Sequence, residues 1–304
     1  MKIAVLGMGG IGGVVGASLA KKFDDIYFIA RGEALKVIKE NGITLKSDKL
    51  GTFTAKPKLA TDNVNDIGIV DVLIIATKSY SLAAACLQCS PIIGKDTVVL
   101  PLLNGVCVSD DIKDAIGDKG QIADGCIYAF SNIISPGVTA HIGELCHIDI
   151  GFKDGRTNAK AVELAKMLNE VGIETVFTEN VMVPIWEKYI LMCGNSCVFS
   201  YFECPAGEVH KDPVKSKFIA DVYEELVKLA AANGVKVAED IVERYKATFS
   251  RLPESAITSL YRDIKDKKPN TEFDAVIGKA YKMAVKYGVN APCITKTYEK
   301  YQTS

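Results

Sequence analysis

Met1-Lys2-Ile3-Ala4-Val5-Leu6-Gly7-Met8-Gly9-Gly10-Ile11-Gly12 opens the chain, and its reading decides the fold. Residues 3–6 form a short apolar run, the mark of a buried strand. Gly7, Gly9 and Gly12 follow with G-x-G-x-x-G spacing, and Val14, Val15, Ala17, Leu19 and Ala20 then recur at helical intervals. A strand, a glycine turn and a helix in that order form a dinucleotide-binding unit. The first glycine permits the tight turn, the second admits a pyrophosphate to the backbone, and the third lets helix and strand pack closely. Free N–H groups and the positive end of the helix dipole face the phosphates. The backbone from Gly7 through Met8, Gly9, Gly10 and Ile11 to Gly12 is therefore the expected phosphate cradle.

Working outward, residues 26–30 read as the second strand. An NAD site places an acidic residue at the end of that strand, about 20 residues past the glycines. Here the end is Ala30-Arg31-Gly32. A guanidinium offers charge and a fork of donors that suit a 2′-phosphate. Arg31 thus argues for NADP(H), and Glu33 is the one nearby carboxylate that argues for NAD. Buried strands recur at 72–76 and 98–102, separated by helical segments such as 34–40. That alternation predicts parallel pairing with right-handed crossovers. Ligands in such sheets bind past the carboxyl ends of strands. Two of those ends carry polar residues, Thr77-Lys78-Ser79 and Asn104-Gly105. Lys78 is expected to reach the cofactor, and Asn104 to lie beside the nicotinamide. The blander alternatives are an exposed lysine opening a helix and a simple turn.

Residues 42–59 read as an extended excursion with turn residues at Ser47-Asp48 and Gly51. Strands are expected at 121–131, 137–142, 145–151 and 174–177, with an amphipathic helix at 159–171. Beyond residue 181 the pattern is helical throughout: 186–202, 214–233, 238–249, 272–287 and 294–301. The fold expected is an α/β Rossmann-like domain with a mostly parallel sheet at 1–180, then an all-α domain at 181–304.

Composition narrows the function. With 304 residues the chain is long enough for two cores. Its 36 basic and 37 acidic residues nearly cancel, so charge gives no case for nucleic acid or an anionic membrane. No apolar run reaches membrane-spanning length, and Met1 leads straight into a strand, so no signal peptide is expected. The nine cysteines are scattered through apolar segments, which fits reduced, buried thiols in the cytoplasm. Cys86-x-x-Cys89 lacks a second pair or histidines at zinc spacing, so it reads as helix packing and no metal is expected.

The helical half holds the expected chemistry. Trp186-Glu187-Lys188-Tyr189-Ile190-Leu191-Met192-Cys193-Gly194-Asn195-Ser196-Cys197 is largely apolar and should be buried. A lysine there is paired, snorkels out, or works. Desolvation lowers a lysine's pKa and turns it into a usable proton donor. Asn195 lies seven positions on, within roughly 20° of the same helical face at about 100° per residue. Met192 shares that face and Ser196 flanks it. Further on stand Ser259-Leu260-Tyr261-Arg262-Asp263 and Asn270-Thr271-Glu272-Phe273-Asp274, where Asn270 or Thr271 can cap a helix beginning near Glu272.

Taken in order, the glycine motif, Arg31, Thr77-Lys78, Asn104-Gly105, Pro136-Gly137 with His141 and Gly143, Trp186-x-Lys188, Ser259-x-x-x-Asp263 and Thr271-Glu272-x-Asp274 resemble the ketopantoate reductase (2-dehydropantoate 2-reductase) family. The resemblance covers nearly the whole chain. It implies NADPH-dependent reduction of 2-dehydropantoate to (R)-pantoate, on the route to coenzyme A. It implies Lys188 as general acid and Glu272 as the residue holding the substrate hydroxyl. Asn104 and Ser259 would position substrate, joined here by Asn195 and Ser196, while Arg31 and Lys78 would hold the cofactor. A homodimer is the assembly considered.

This chain also departs from that pattern. Met192 and Ser196 stand where the family usually has asparagines, four and eight residues after the lysine. A lysine-rich loop (Lys265, Lys267, Lys268) replaces the usual glycine before Glu272. A different 2-keto acid is therefore one alternative. A non-catalytic NADPH-binding sensor is another, and an opine- or 3-hydroxyacyl-type dehydrogenase a third. The 3-hydroxyacyl type would need a histidine acid, yet His141, His147 and His210 all lie outside the carboxyl-terminal clusters.

Overall fold

The computed structural model describes residues 1–302. The chain divides into two compact units. One is Met1–Leu103 with Cys107–Val181, and the other is Asn104–Val106 with the chain from Met182 onward.

In chain order the strands of the first unit are β1 (Ile3–Leu6), β2 (Ile26–Ile29), β3 (Ile43–Ser47), β4 (Gly51–Ala55), β5 (Leu59–Thr61), β6 (Val72–Ile75), β7 (Val98–Pro101), β8 (Gln121–Ile122), β9 (Asp124–Ser135), β10 (Val138–Gly151) and β11 (Glu174–Phe177). Its helices are α1 (Gly10–Lys22), α2 (Gly32–Asn41), α3 (Leu82–Cys89), α4 (Val108–Ile116) and α5 (Ala159–Glu170). Six strands form one sheet in the order β5-β2-β1-β6-β7-β8. Every pairing in it is parallel. β1, β2, β6 and β7 are buried along their whole length, which is why they read as unbroken apolar runs. The strand order reverses direction between β1 and β6, so the carboxyl end of β1 is the switch point where such sheets bind ligands.

The remaining strands form a second sheet, β11-β10-β3-β4, with β9 paired along β10. β10 runs parallel to β3 and β11 and antiparallel to β9. One core fills the space between the sheets, from Val5, Val14 and Phe28 to Ile148, Ile150 and Leu168. A second core lies on the other face of the parallel sheet, around Leu73, Ile75, Cys86 and Ile112.

The expected pair of strands at 137–142 and 145–151 is a single strand with a register shift between Ile142 and Cys146. Three side chains hold that irregularity. His141 Nε2 faces the carbonyl of Leu145 at 3.0 Å and Nδ1 faces Ser47 Oγ at 2.8 Å. A carbonyl can only accept, so Nε2 carries the proton and Nδ1 accepts from the serine. Asp48 Oδ2 accepts from the Gly143 N–H at 2.7 Å. His141 is thus a satisfied structural residue.

The second unit is helical: α6 (Met182–Phe202), α7 (Ala206–Lys211), α8 (Pro213–Ala232), α9 (Ile241–Ser250), α10 (Ser259–Lys265), α11 (Lys279–Tyr287) and α12 (Pro292–Gln302), with a π-helical segment at Asp274–Gly278. α6 is its axis, with Trp186, Tyr189, Ile190, Cys193, Cys197 and Phe199 all buried. The buried Glu225 of α8 caps α12: its two carboxylate oxygens accept from the N–H groups of Cys293 at 2.8 Å and Ile294 at 3.0 Å. All nine cysteines are free thiols. Burial pushes Cys86 and Cys89 up to about 11 and about 12, inert values that suit helix packing. Among the described residues no group of side chains can hold a metal ion, and no helix is long and apolar enough to cross a membrane.

Candidate active site

In the first unit, the turn after β1 is built as its glycines require. Gly7 has φ +90°, and a Cβ on Gly12 would sit 1.9 Å from the Gly7 carbonyl. A Cβ on Gly9, by contrast, would meet nothing nearer than Ile133 Cδ1 at 4.0 Å. Packing within the chain therefore gives no reason for glycine at position 9. Close approach of a ligand does. α1 begins there with no side-chain cap and no acidic residue in its first turn, so its leading N–H groups remain for an anion. Thr77 Oγ1, at the carboxyl end of β6, is buried with no partner, and its methyl lies 3.0 Å from where a Gly7 Cβ would be. These features fit a dinucleotide pyrophosphate. Met8, Gly10 and Ile11 are half-buried around the same turn.

Arg31 stands at the end of β2, is exposed, and opens α2. Its guanidinium donates to Gln88 Oε1, and Gln88 Nε2 donates to the Asp62 carbonyl at 3.1 Å. Four N–H donors remain on the guanidinium. Lys78 is exposed at the start of the short turn Ser79–Ser81.

In the second unit, Lys188 is half-buried on α6, and its Nζ donates to Asn104 Oδ1 at 3.1 Å. The two residues are 84 positions apart, and no spacing rule connects them. Glu272 is 7% exposed. The helix expected to begin at Glu272 starts instead with the π-helical segment. Thr271 Oγ1 accepts from the Phe273 N–H at 3.3 Å, a weaker form of the expected cap. The wider π turn leaves the Val276 carbonyl to accept from Tyr189 Oη at 2.5 Å and Cys193 Sγ at 3.6 Å. Glu272 and Lys188 are thus tied to one framework, through Val276 and through the residue after the lysine. Single π turns of this kind recur at functional sites.

Asn195 is half-buried and accepts a hydrogen bond from Tyr223 Oη. Met192 is half-buried, whereas Ser196 is 1% exposed. Ser259 is exposed at the first position of α10, whose cap is Thr258 Oγ1 accepting from the Tyr261 N–H at 3.3 Å. The structure therefore joins Lys188 with Asn104 and Asn195 with Tyr223. Sequence reasoning missed Tyr223 and Gln88. The isolated Gly194 within an apolar helix was the available signal for the first, since such a glycine usually has a packing reason.

Residues 3–155 match the family described as Ketopantoate reductase PanE/ApbA, and residues 180–303 match its carboxyl-terminal domain. The chain belongs to the ketopantoate reductase PanE/ApbA family. It is 28% identical over 294 residues to the 2-dehydropantoate 2-reductase of Pyrococcus horikoshii, covering 96% of this chain and 93% of that one. Its fold is that of the PanE/ApbA family ketopantoate reductase from Ralstonia eutropha, with TM-score 0.88 at 23% identity, covering 100% and 98% of the two chains. D-mandelate dehydrogenase, solved with NADH and anilino(oxo)acetate, has TM-score 0.83 at 23% identity, with 100% and 99% covered. This chain is accordingly an oxidoreductase of the ketopantoate reductase family. The family uses a nicotinamide cofactor.

Proposed function

We propose that this chain reduces 2-dehydropantoate to (R)-pantoate with NADPH. The first unit binds the cofactor through the glycine turn, Lys78 and Arg31. The helical unit, joined by Asn104, holds substrate and the acid. The observation that carries the reading is Lys188: a half-buried ammonium, fixed by Asn104 Oδ1 on a helix whose neighbours are apolar. The nicotinamide, when bound, supplies a hydride. The ketone oxygen then becomes an alkoxide, which needs a proton and nearby positive charge. Lys188 supplies both. Asn104 aims the ammonium, and the buried carboxylate of Glu272 takes the substrate hydroxyl. Asn195 and Ser259 position the rest of the acid, with Ser196 behind them. Arg31 selects NADPH through the 2′-phosphate. Nine free thiols favour a reducing, cytoplasmic setting.

A second reading keeps this chemistry and changes the acid. Met192 presents a thioether where the family usually has an amide, and Ser196 is sealed in the helix packing. Both changes make the pocket less polar. The D-mandelate dehydrogenase likeness favours a bulkier 2-keto acid under this reading.

The test is NADPH oxidation by purified protein with 2-dehydropantoate, pyruvate and phenylglyoxylate. Preference for 2-dehydropantoate is expected. Turnover confined to phenylglyoxylate would move the substrate, and tight NADPH binding without any turnover would favour a sensor. Lys188→Ala should lower kcat by a factor on the order of 10² or more. An unchanged kcat would remove Lys188 from the mechanism.

A further inference from the structure

A feature of α6 assigns a role to a residue on another helix. Tyr223 of α8 is fully buried, and its hydroxyl donates to Asn195 Oδ1. The ring reaches that position because residue 194 is glycine: a Cβ there would lie 2.3 Å from Tyr223 Cε1 and 2.5 Å from Cδ1. Gly194 thus opens a slot in the helix surface, and the tyrosine fills it with its hydroxyl one residue further along.

The hydrogen bond has a direction that physics enforces. Burial pushes the Tyr223 phenol well above its ordinary pKa, so the oxygen keeps its proton. That proton needs an acceptor, and among the described residues Asn195 Oδ1 is the one it has. Turning the amide over would place its N–H groups against the phenol and strand the buried proton without an acceptor. Oδ1 is therefore held inward. The two Nδ2 hydrogens point away from Tyr223, have no partner among the described residues, and are not sealed from solvent.

We propose that Tyr223, seated in the slot left by Gly194, is a positioning residue that fixes the Asn195 amide as a pure donor for the carboxylate of the 2-keto acid. This rests on the reading of the chain as a 2-keto acid reductase. It also gives that reading a chemical reason for the departures on α6: with Met192 and Ser196 in place of amides, a single clamped amide does the recognition. A clamped amide presents donors only. It suits an acceptor such as a carboxylate and rejects a group that must donate.

The test uses the full chain with NADPH and whichever acid of the 2-dehydropantoate, pyruvate and phenylglyoxylate panel it turns over best. Oxamate inhibition provides a second measure of carboxylate binding. Tyr223→Phe keeps the ring in its slot and removes only the clamp. Its KM and oxamate Ki should rise about fivefold, with kcat within twofold and NADPH affinity unchanged. Asn195→Ala should raise both constants roughly tenfold or more, as loss of a hydrogen bond to a charged group does. In the Asn195→Ala background, Tyr223→Phe should add nothing. The proposal is overturned if Tyr223→Phe leaves KM and Ki unchanged, lowers kcat alone, or retains its full effect without Asn195. If the native chain neither turns over any of the three acids nor binds oxamate, the 2-keto acid reading falls, and this proposal with it.

Discussion

At the scale of single residues, the exposed Lys267 is a point of compromise. α10 ends in a Schellman motif: the Lys268 N–H donates to the Asp263 carbonyl at 3.0 Å and the Lys267 N–H to that of Ile264 at 2.9 Å. The residue between cap and return takes a left-handed conformation, where glycine is usual. Here Lys267 takes it, with φ +52°. A side chain in that region costs about 1 kcal/mol relative to glycine. Lys267→Gly should therefore raise stability by roughly 1 kcal/mol, read as a higher denaturant midpoint at unchanged slope. Lower stability would mean that the lysine side chain makes a compensating contact. The strain lies in the loop that the sequence already marked as unlike the family's, between Asp263 and Glu272.

At the scale of elements, the attachment of α12 depends on one buried carboxylate. Glu225→Ala leaves the N–H groups of Cys293 and Ile294 without acceptors and should cost about 2 kcal/mol in chemical denaturation at neutral pH. The pH dependence has a definite sign. Desolvation raises the Glu225 carboxyl above its ordinary 4.5, against the pull of the two N–H groups. The folded state then binds the proton more tightly than the unfolded state does. Glu225's share of stability therefore declines as pH rises from about 4.5 through the raised folded value, and Glu225→Ala should lose that slope. Elements of this kind were unevenly legible. β1, β2 and β11 could be read to within a residue because short apolar runs between turn residues admit few alternatives. α6 begins four residues before the expected start because Pro184 falls in its first turn, where proline is tolerated. The continuity of β10 was hidden by Gly143, which looks like a break yet serves a bulge held by His141 and Asp48. The π turn before α11 has no sequence signature at all. Of the candidate site, the glycine turn was fully legible because its chemistry is local. The Lys188–Asn104 and Tyr223–Asn195 contacts were not, since each joins residues that only the tertiary fold brings together.

At the scale of the whole molecule, charge is nearly neutral, and most ion pairs lie on the surface, where each contributes little. Asp71 is an exception of placement. It accepts from the Lys2 N–H at 2.9 Å and pairs with Lys160 of α5 at 2.8 Å, joining the start of β1, the approach to β6 and a helix of the outer layer. The Lys160 hydrogen bond, then the Lys2 N–H, hold its carboxyl below the ordinary 3.8. Its contribution is thus complete above about pH 3.8 and disappears as pH falls through the lower folded value. Native protein and Asp71→Asn should differ by a constant amount near neutrality and converge in the acid limb of a stability–pH curve. Parallel curves across that limb would remove Asp71 from the account.

The second sheet also has a history written into its order. β10 is the strand on which β3, β9 and β11 all depend, and β3 meets it across 94 positions at Ser47 and His141. During synthesis at about 5–20 residues per second, the β3–β4 hairpin leaves the ribosome about 5–20 s before its partner. For that interval Ile43 and Leu45, fully buried in the finished protein, can pack on α1 but lack the β10, β9 and α5 side of their core. Birth of this protein therefore includes a waiting period in which a sticky hairpin must be kept from other chains, and slowing translation between residues 60 and 138 should lower its soluble yield more than slowing it after residue 181.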